Sequence, residues 1–329
     1  GVDLSLFDDK FTATVDYFHE QRDGIYMERK YLPAMVGIVR SNPKANVGSV
    51  LSQGFDGNLA YKQKIGKVNI TVRGNMTYSK NEILEKDEEN SVYPYKKEVG
   101  YRVNQAKGLI ALGLFKDYDD IRNSPQQTEW GKVQPGDIKY KDVNGDGIIN
   151  GNDKVAIGAT TKPNLIYGFG ISAQWNGFDF NMHLQGAGKS SFFIEGHTVF
   201  AFSDNQWGNV LENLVKDAQT AEKLGIPANE NPNASYPRLS FGKNDNNQQK
   251  STFWLRNGSY LRLKTLEVGY TLPKSIVNKI KFNKIRVFFI GTNLLTFAKF
   301  KEWDPELGSS TGTEYPLSKV FTLGLTVNI

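Results

Sequence analysis

The stretch Leu165–Gln185, LIYGFGISAQWNGFDFNMHLQ, decides the fold. Leu165, Tyr167, Phe169, Ile171, Ala173 and Trp175 fall on one face of an extended strand. Gly168, Gly170, Ser172 and Gln174 fall on the other, because successive side chains of a strand point to opposite sides. Asn176-Gly177 marks a two-residue hairpin turn. Beyond it Phe178, Phe180, Met182 and Leu184 alternate with Asp179, Asn181, His183 and Gln185. The stretch reads as an antiparallel hairpin with one apolar, aromatic face and one polar face.

The pattern recurs on both sides. Val2, Leu4 and Leu6 lead through a tight Asp8-Asp9-Lys10 turn to Phe11, Ala13, Val15 and Tyr17, which alternate with Thr12, Thr14 and Asp16. Residues 19–48 contain Gly and Pro and read as an irregular loop. Phe55, Gly57, Leu59 and Tyr61 then pair across a turn at Lys64–Lys67 with Val68, Ile70, Val72, Met76 and Tyr78; Asn69, Thr71, Arg73, Asn75 and Thr77 take the other face. Downstream, Tyr260–Thr271 and Lys284–Asn293 are strands. The last strand carries Phe321, Leu323, Leu325, Val327 and Ile329 opposite Thr322, Gly324, Thr326 and Asn328.

Two stretches lack this alternation. One holds a charged segment (Glu82–Glu98), a Gly-rich apolar patch (Gly108–Phe115) and an acidic turn (Asp117–Asp120). The other contains a helix expected near Asn209–Leu224. Both are too long for ordinary connections. The chain therefore divides into strands over 1–80, a long excursion over 81–162, a hairpin over 163–188, a second excursion over 189–257, and C-terminal strands over 258–329.

Roughly nine or ten strands of roughly ten residues, joined alternately by short turns and very long loops, match an outer-membrane barrel. A soluble all-β protein also alternates, but its strands are shorter, about 5–6 residues. The predicted fold class is all-β, an antiparallel transmembrane β-barrel with long extracellular loops and a polar face lining the lumen. In lipid only a closed barrel satisfies every strand hydrogen bond.

Composition narrows the function. The chain has 329 residues, no cysteine and a net charge of +5. Without Cys there is neither a disulfide framework nor a thiolate metal site. The positive charge is mild and scattered, with no basic run or aromatic RNA-binding motif, which argues against nucleic acid. No apolar run approaches the length of a membrane helix. Gly1 opens directly in a strand-like run with no signal peptide or initiator Met, so a fragment or processed chain is expected.

The sharpest local motif is Asp142–Asp153, with the spacing D-x-N-x-D-G-x-I-x-x-x-D. It follows the EF-hand calcium loop, with Asp in place of the final Glu. Asp142, Asn144 and Asp146 offer side-chain oxygens at positions 1, 3 and 5; Gly147 permits the turn. Ile148 offers its carbonyl, Asn150 stands at the position often bridged by water, and Asp153 closes the loop. A structural Ca2+ is expected there, and the alternative is a Gly/Asn/Asp-rich turn without an ion.

Enzyme chemistry finds no support. The histidines are His19, His183 and His197, and His183 sits on a polar strand face between Asn181 and Gln185. No G-x-S-x-G, H-E-x-x-H or P-loop motif occurs. Asp119/Asp120 and Glu88/Glu89 read as solvated loop charges. Phe200, Phe202 and Trp207 can stack on sugar rings or simply pack within their loop. Arg73, Gln185 and Trp207 are the substrate-contact candidates, generic in type.

These segments carry a family resemblance. Gly1–Asp23, Asn46–Tyr61, Gly136–Gly158, Pro163–Gly188, Asn231–Leu239, Trp254–Pro273, Asn293–Leu307 and the closing strand together resemble the C-terminal part of SusC/RagA-type TonB-linked outer-membrane transporters, typical of Bacteroidetes. The combination of GDIKYKDVNGDG with GSYLRLKTLEVGYTLP is the specific part. The resemblance implies a barrel of about 22 strands with an N-terminal plug. It also implies energy coupling to the TonB complex through that plug, a SusD/RagB-like lipoprotein as lid, and import of oligosaccharides or peptides across the outer membrane. The plug and TonB box are not in this sequence, and Ile329 stands where such barrels usually end in an aromatic. A calcium-stabilised surface binding or adhesion protein without transport activity is the alternative reading.

Overall fold

The computed structural model describes residues 1–30, 35, 37, 42–203, 210–223, 234–240 and 242–329. Nine strands form its wall: β1 (Val2–Leu6), β2 (Phe11–Glu28), β3 (Lys44–Ile65), β4 (Val68–Glu85), β5 (Leu165–Trp175), β6 (Phe178–Gly188), β7 (Tyr260–Thr271), β8 (Lys284–Ala298) and β9 (Val320–Asn328). They pair antiparallel in sequence order as one nine-stranded meander, with β1 and β9 at its two edges. Among the described residues no helix is long and apolar enough to cross a membrane, which leaves crossing by strands open.

Local chemistry explains the tight ends. Asn176 and Gly177 both have positive φ, 46° and 87°, as the twist-matched two-residue hairpin turn requires. Close approach fixes other glycines: a Cβ on Gly186 would lie 2.3 Å from the Tyr167 ring, and one on Gly324 would lie 2.2 Å from Phe288. In each case an aromatic ring lies over a neighbouring strand's glycine.

Register turns the alternation into rows. Tyr17 pairs with Phe55, Phe55 with Tyr78, and Tyr78 with Leu165. One step further from the short turns, the same face presents His19, Gln53 and Lys80, again in register. At the opposite end Trp175, Phe178 and Tyr270 stack together, with centroids 6.3 and 4.4 Å apart. Between these aromatic rows the outer face is apolar: Val15, Leu59, Val72, Met76, Ile171 and Phe180 among others. On β4 the band runs from Val68 to Tyr78. At ~3.3 Å per residue that is roughly 33 Å of strand, which at a ~40–45° tilt spans about the ~25 Å apolar height of outer-membrane barrels.

Strand length departs from the sequence expectation. β2, β3 and β4 have 18, 22 and 18 residues, and the expected 19–48 loop is strand to Glu28 and again from Lys44. β4 likewise runs into the charged segment as far as Glu85, and β8 continues to Ala298. The hydrogen-bond ladder needs only a partner strand, whereas the apolar pattern needs an apolar surrounding. Above the Tyr17–Phe55–Tyr78 row polar residues such as His19, Gln53 and Lys80 enter the outer face while Ile25, Val50 and Ile83 lie on the other, so the alternation lapses while the ladder persists.

The two excursions do not behave as separate loops. Leu109 N donates to the Lys250 carbonyl and Thr252 N to the Leu109 carbonyl, both at 2.9 Å. Arg238 N reaches Gly136 O at 2.8 Å, Ser191 N reaches Thr160 O at 3.0 Å, and Glu195 N reaches Ser310 O at 2.9 Å. Their apolar residues share one core, including Leu109, Ile138, Ile149, Phe192, Trp254 and Phe300. The excursions and the β8–β9 connection thus form one packed cap. Its helix α1 (Tyr118–Arg122) is the acidic turn of the sequence, and α2 (Glu212–Lys223) is the expected helix.

Candidate functional site

The polar face of the wall gathers charge. Asp179 on β6, Glu267 on β7 and Arg286 on β8 meet across three strands. Arg286 Nε donates to Asp179 Oδ1 at 3.0 Å and its Nη2 to Glu267 Oε1 at 2.6 Å. With Asn69 and Gln174 they line a cavity of about 620 Å3 beside the short turns. Nearer mid-wall, Arg73 Nη2 donates to Asn181 Oδ1 at 3.2 Å. Gln185 is half-buried, in register with Gly168 and Arg262. Of the substrate-contact candidates, Arg73 and Gln185 therefore share the polar face, while Trp207 lies outside the described residues. Phe200 packs edge-on against Trp254 at 5.2 Å, inside the cap.

The cap meets this face through a buried arginine and its partly exposed carboxylate partners. Arg262 on β7, 2% exposed, pairs with Asp304 at 2.5 Å and with Glu306 at 3.3 Å. Inside the cap Asp137 is fully buried and pairs with Arg238 at 2.8 Å. It also accepts from Asn247 Nδ2 at 2.8 Å, Asn244 Nδ2 at 3.1 Å and Gln134 N at 2.7 Å. Partners on both excursions converge on this one carboxylate. Tyr140 donates to Asn246 O at 2.7 Å, and burial pushes its phenol well above its ordinary value. None of this was visible in sequence: Asp137 reads as one more polar loop residue, and its side-chain partners lie some hundred positions downstream.

The Asp142–Asp153 loop is built as a sharp, carboxylate-lined turn. Asp142 accepts from Gly145 N at 2.7 Å and Gly147 N at 2.8 Å, and both glycines have positive φ, 76° and 80°. Asn144 Oδ1 accepts from Asp146 N at 3.1 Å, and Asp146 Oδ1 accepts from Ile148 N at 2.8 Å. Asn150 Oδ1 caps Asn152 N at 2.7 Å. Asp153 is fully buried and accepts from Val143 N and Asn150 N, both at 2.8 Å. Ile149, buried, anchors the loop to the cap core, and its N–H reaches Gln126 O at 2.7 Å.

The loop rests against residues the spacing did not reveal. Tyr93 and Tyr95 stack 5.6 Å apart. Tyr95 donates to Asn152 O at 2.8 Å, and Asn144 Nδ2 donates to the Tyr93 hydroxyl at 3.1 Å. Burial pushes the Tyr95 phenol up, and the negative charge of Asp153, Asp146 and Asp142 adds to it. The donor chemistry of Asp142, Asn144 and Asp146 fits a hard cation. Among the described residues, however, no three of His, Cys, Asp and Glu are grouped closely enough to hold an ion by carboxylate and imidazole alone. Amide and carbonyl oxygens have to complete any such set.

Known proteins place this architecture. No family model matches the chain. It is 26% identical to "TonB-dependent receptor P26" of Formosa agariphila over 99% of this chain and 34% of that relative. It is 22% identical to "TonB-dependent receptor SusC" of Bacteroides thetaiotaomicron over 99% of this chain and 31% of that relative. The solved structure of the RagAB peptide transporter superposes with a TM-score of 0.73 at 21% identity, over 99% of this chain and 34% of the matched one. The RagAB peptide importer in its open-open state gives 0.72 at 22% identity, over 99% and 33%. The chain thus spans about a third of the relatives it matches. The likeness to SusC- and RagA-type TonB-dependent receptors, read from the motifs, is borne out, as is the antiparallel strand architecture. The proteins it matches are named receptors and transporters, in keeping with a chain read as non-enzymatic.

Proposed function

We propose that this chain forms wall and outer cap of a TonB-dependent outer-membrane importer for oligosaccharides or peptides. One observation carries the reading. An apolar outer face of about bilayer height lies between two aromatic rows, and the opposite face is polar. Such a wall is stable only where lipid replaces water on one side. The open edges at β1 and β9 need further strands for closure. The relatives, about three times longer, are where such strands and a TonB-coupled plug are to be sought. A SusD/RagB-like lipoprotein is the proposed partner, seated on the cap. The surface-adhesion alternative gains nothing from the relatives.

In this reading the Asp142–Asp153 loop takes Ca2+ as a structural ion. Asp142, Asn144, Asp146 and the Ile148 carbonyl would hold it; Asn150 and Asp153 close the loop. The ion would supply charge neutralisation and rigidity, offsetting the entropy of ordering the cap. The whole reading is tested by blotting fractionated cells with an antibody to this chain. A band far above 36.9 kDa in the detergent-resistant outer-membrane fraction is expected. A soluble band near 36.9 kDa overturns the importer.

A further inference from the structure

Above the aromatic row, the polar face of β2–β4 holds a second cavity, of about 530 Å3. Segment 98–104 closes it from the cap side. Ile83 N donates to Tyr101 O and Gly100 N to Ile83 O, both at 2.9 Å, and Val103 N donates to Asn81 Oδ1 at 2.9 Å. The cavity is therefore framed by ladder and loop together, and its shape does not depend on one flexible side chain.

Its lining is chemically mixed. Glu20, Glu85 and Glu98 face Arg22 and Lys86, three carboxylates against two bases. Glu20 pairs with Arg22 at 2.9 Å and Glu98 pairs with Lys86, which leaves Glu85 as the unbalanced charge. The Glu20–Arg22 pair is well exposed, so a ligand can compete with it at little cost. Ile25, Met27, Val50 and Ile83 supply an apolar floor, and Ser52 and Asn104 supply neutral hydrogen-bonding groups. Among the described residues that line it none is aromatic, so these offer no flat face to a pyranose ring.

We infer that this cavity is a binding subsite for a peptide that presents a cationic group beside an aliphatic side chain. The inference rests on the import reading and narrows its substrate class. Glu85 takes the ammonium or guanidinium, Ile25, Met27 and Ile83 take the aliphatic side chain, and Ser52, Asn81 and Asn104 are placed for the peptide amides.

The test uses the complete gene product carrying this chain, purified from outer membranes in detergent. Three fluorescein-labelled probes are titrated: a nonapeptide of Lys, Leu and Ala, the same peptide with Glu for Lys, and maltoheptaose. The basic peptide is expected to bind about fivefold tighter than the acidic one, the scale of an exposed ion pair gained in one and a like-charge contact made in the other, because Glu85 is exposed. Glu85→Lys should reverse that preference, a gain that misfolding cannot mimic, and Met27→Ala should weaken both peptides alike. Equal or tighter binding of the acidic peptide, binding of maltoheptaose alone, no binding of any probe, or an unchanged preference in Glu85→Lys overturns the subsite. In each of those cases the import reading still stands or falls separately, on the outer-membrane location of the protein.

Discussion

Wall and cap use the same residue types in opposite ways. On the wall, Leu323 and Phe321 are 79% and 65% exposed, and Val15, Tyr17 and Leu59 also face outward. In the cap, Leu109, Ile138 and Ile149 are wholly buried and Trp254 nearly so. The cap is built like a water-soluble domain, with an apolar core inside and its few buried carboxylates, Asp137 and Asp153, fully hydrogen-bonded. On the proposed reading, the wall is built for a solvent that accepts apolar side chains and rejects unpaired backbone. The change falls at the Tyr17–Phe55–Tyr78 row, within single continuous strands. Secondary structure therefore does not mark the boundary between the two regions; the character of one face does.

The largest effect that sharpens this contrast lies in the cap core. Trp254 contacts Phe200, Tyr236 and Phe253, and its indole N–H donates to Asn247 O at 2.6 Å. Trp254→Ala should cost ~3–5 kcal/mol of cap stability, the usual range for a buried large aromatic. The readout is proteolysis of segments 107–258 in intact outer membranes, alongside heat-modifiable migration of the barrel. Loss of cap protection with the barrel retained is expected. Simultaneous loss of both would make wall and cap one cooperative unit.

Next in size is charge on the outer face. Val72→Arg, mid-band between Tyr61 and Ile171, should destabilise insertion by ~2–4 kcal/mol, whereas Gln53→Arg, beyond the aromatic row, should cost about 0–1 kcal/mol. Folding into lipid vesicles under urea titration measures both. Equal costs would erase the boundary.

The smallest effect concerns pH. Lys139, 2.8 Å from Asp120, holds that carboxyl below its ordinary value, with the Lys116 amide adding to it. A lowered carboxyl pKa stabilises above the unfolded value of ~3.9 and loses that stabilisation as pH falls through the folded value. Protection of segment 111–140 should therefore be flat from pH 7 to about 5 and decline only below about 4. Asp120→Asn should remove that decline. A decline centred near pH 6 would point to another group.

What was legible in the sequence follows the same division. The β5–β6 hairpin, β7 and the ends of β1 and β9 could be read because one apolar and one polar face force a period of two. The continuation of β2 through His19–Glu28 could not, because Ile25 and Met27 follow Glu20 and Arg22 on one face there, with a bulge between them, and only the neighbouring strand keeps the backbone extended. The cap core escaped as well: Leu109, Ile138, Ile149 and Trp254 share no period, and pairing across more than a hundred positions assembles them. The Asp142–Asp153 spacing was plain, since one short loop holds it, but its seat on Tyr93 and Tyr95 was not. Asp137, fully buried like Asp153, left no trace in its neighbours.

The most direct measurement places single cysteines along one outward-facing line of β3 and β4, made simpler by the absence of native cysteine from this chain. Leu59→Cys and Val72→Cys lie inside the band; Gln53→Cys and Lys80→Cys lie one step beyond its aromatic edge. In intact cells a membrane-impermeant maleimide should label positions 53 and 80 and leave 59 and 72 unlabelled until detergent is added. Equal labelling of all four before detergent would mean that water, not lipid, covers this face, and the membrane wall would be refuted.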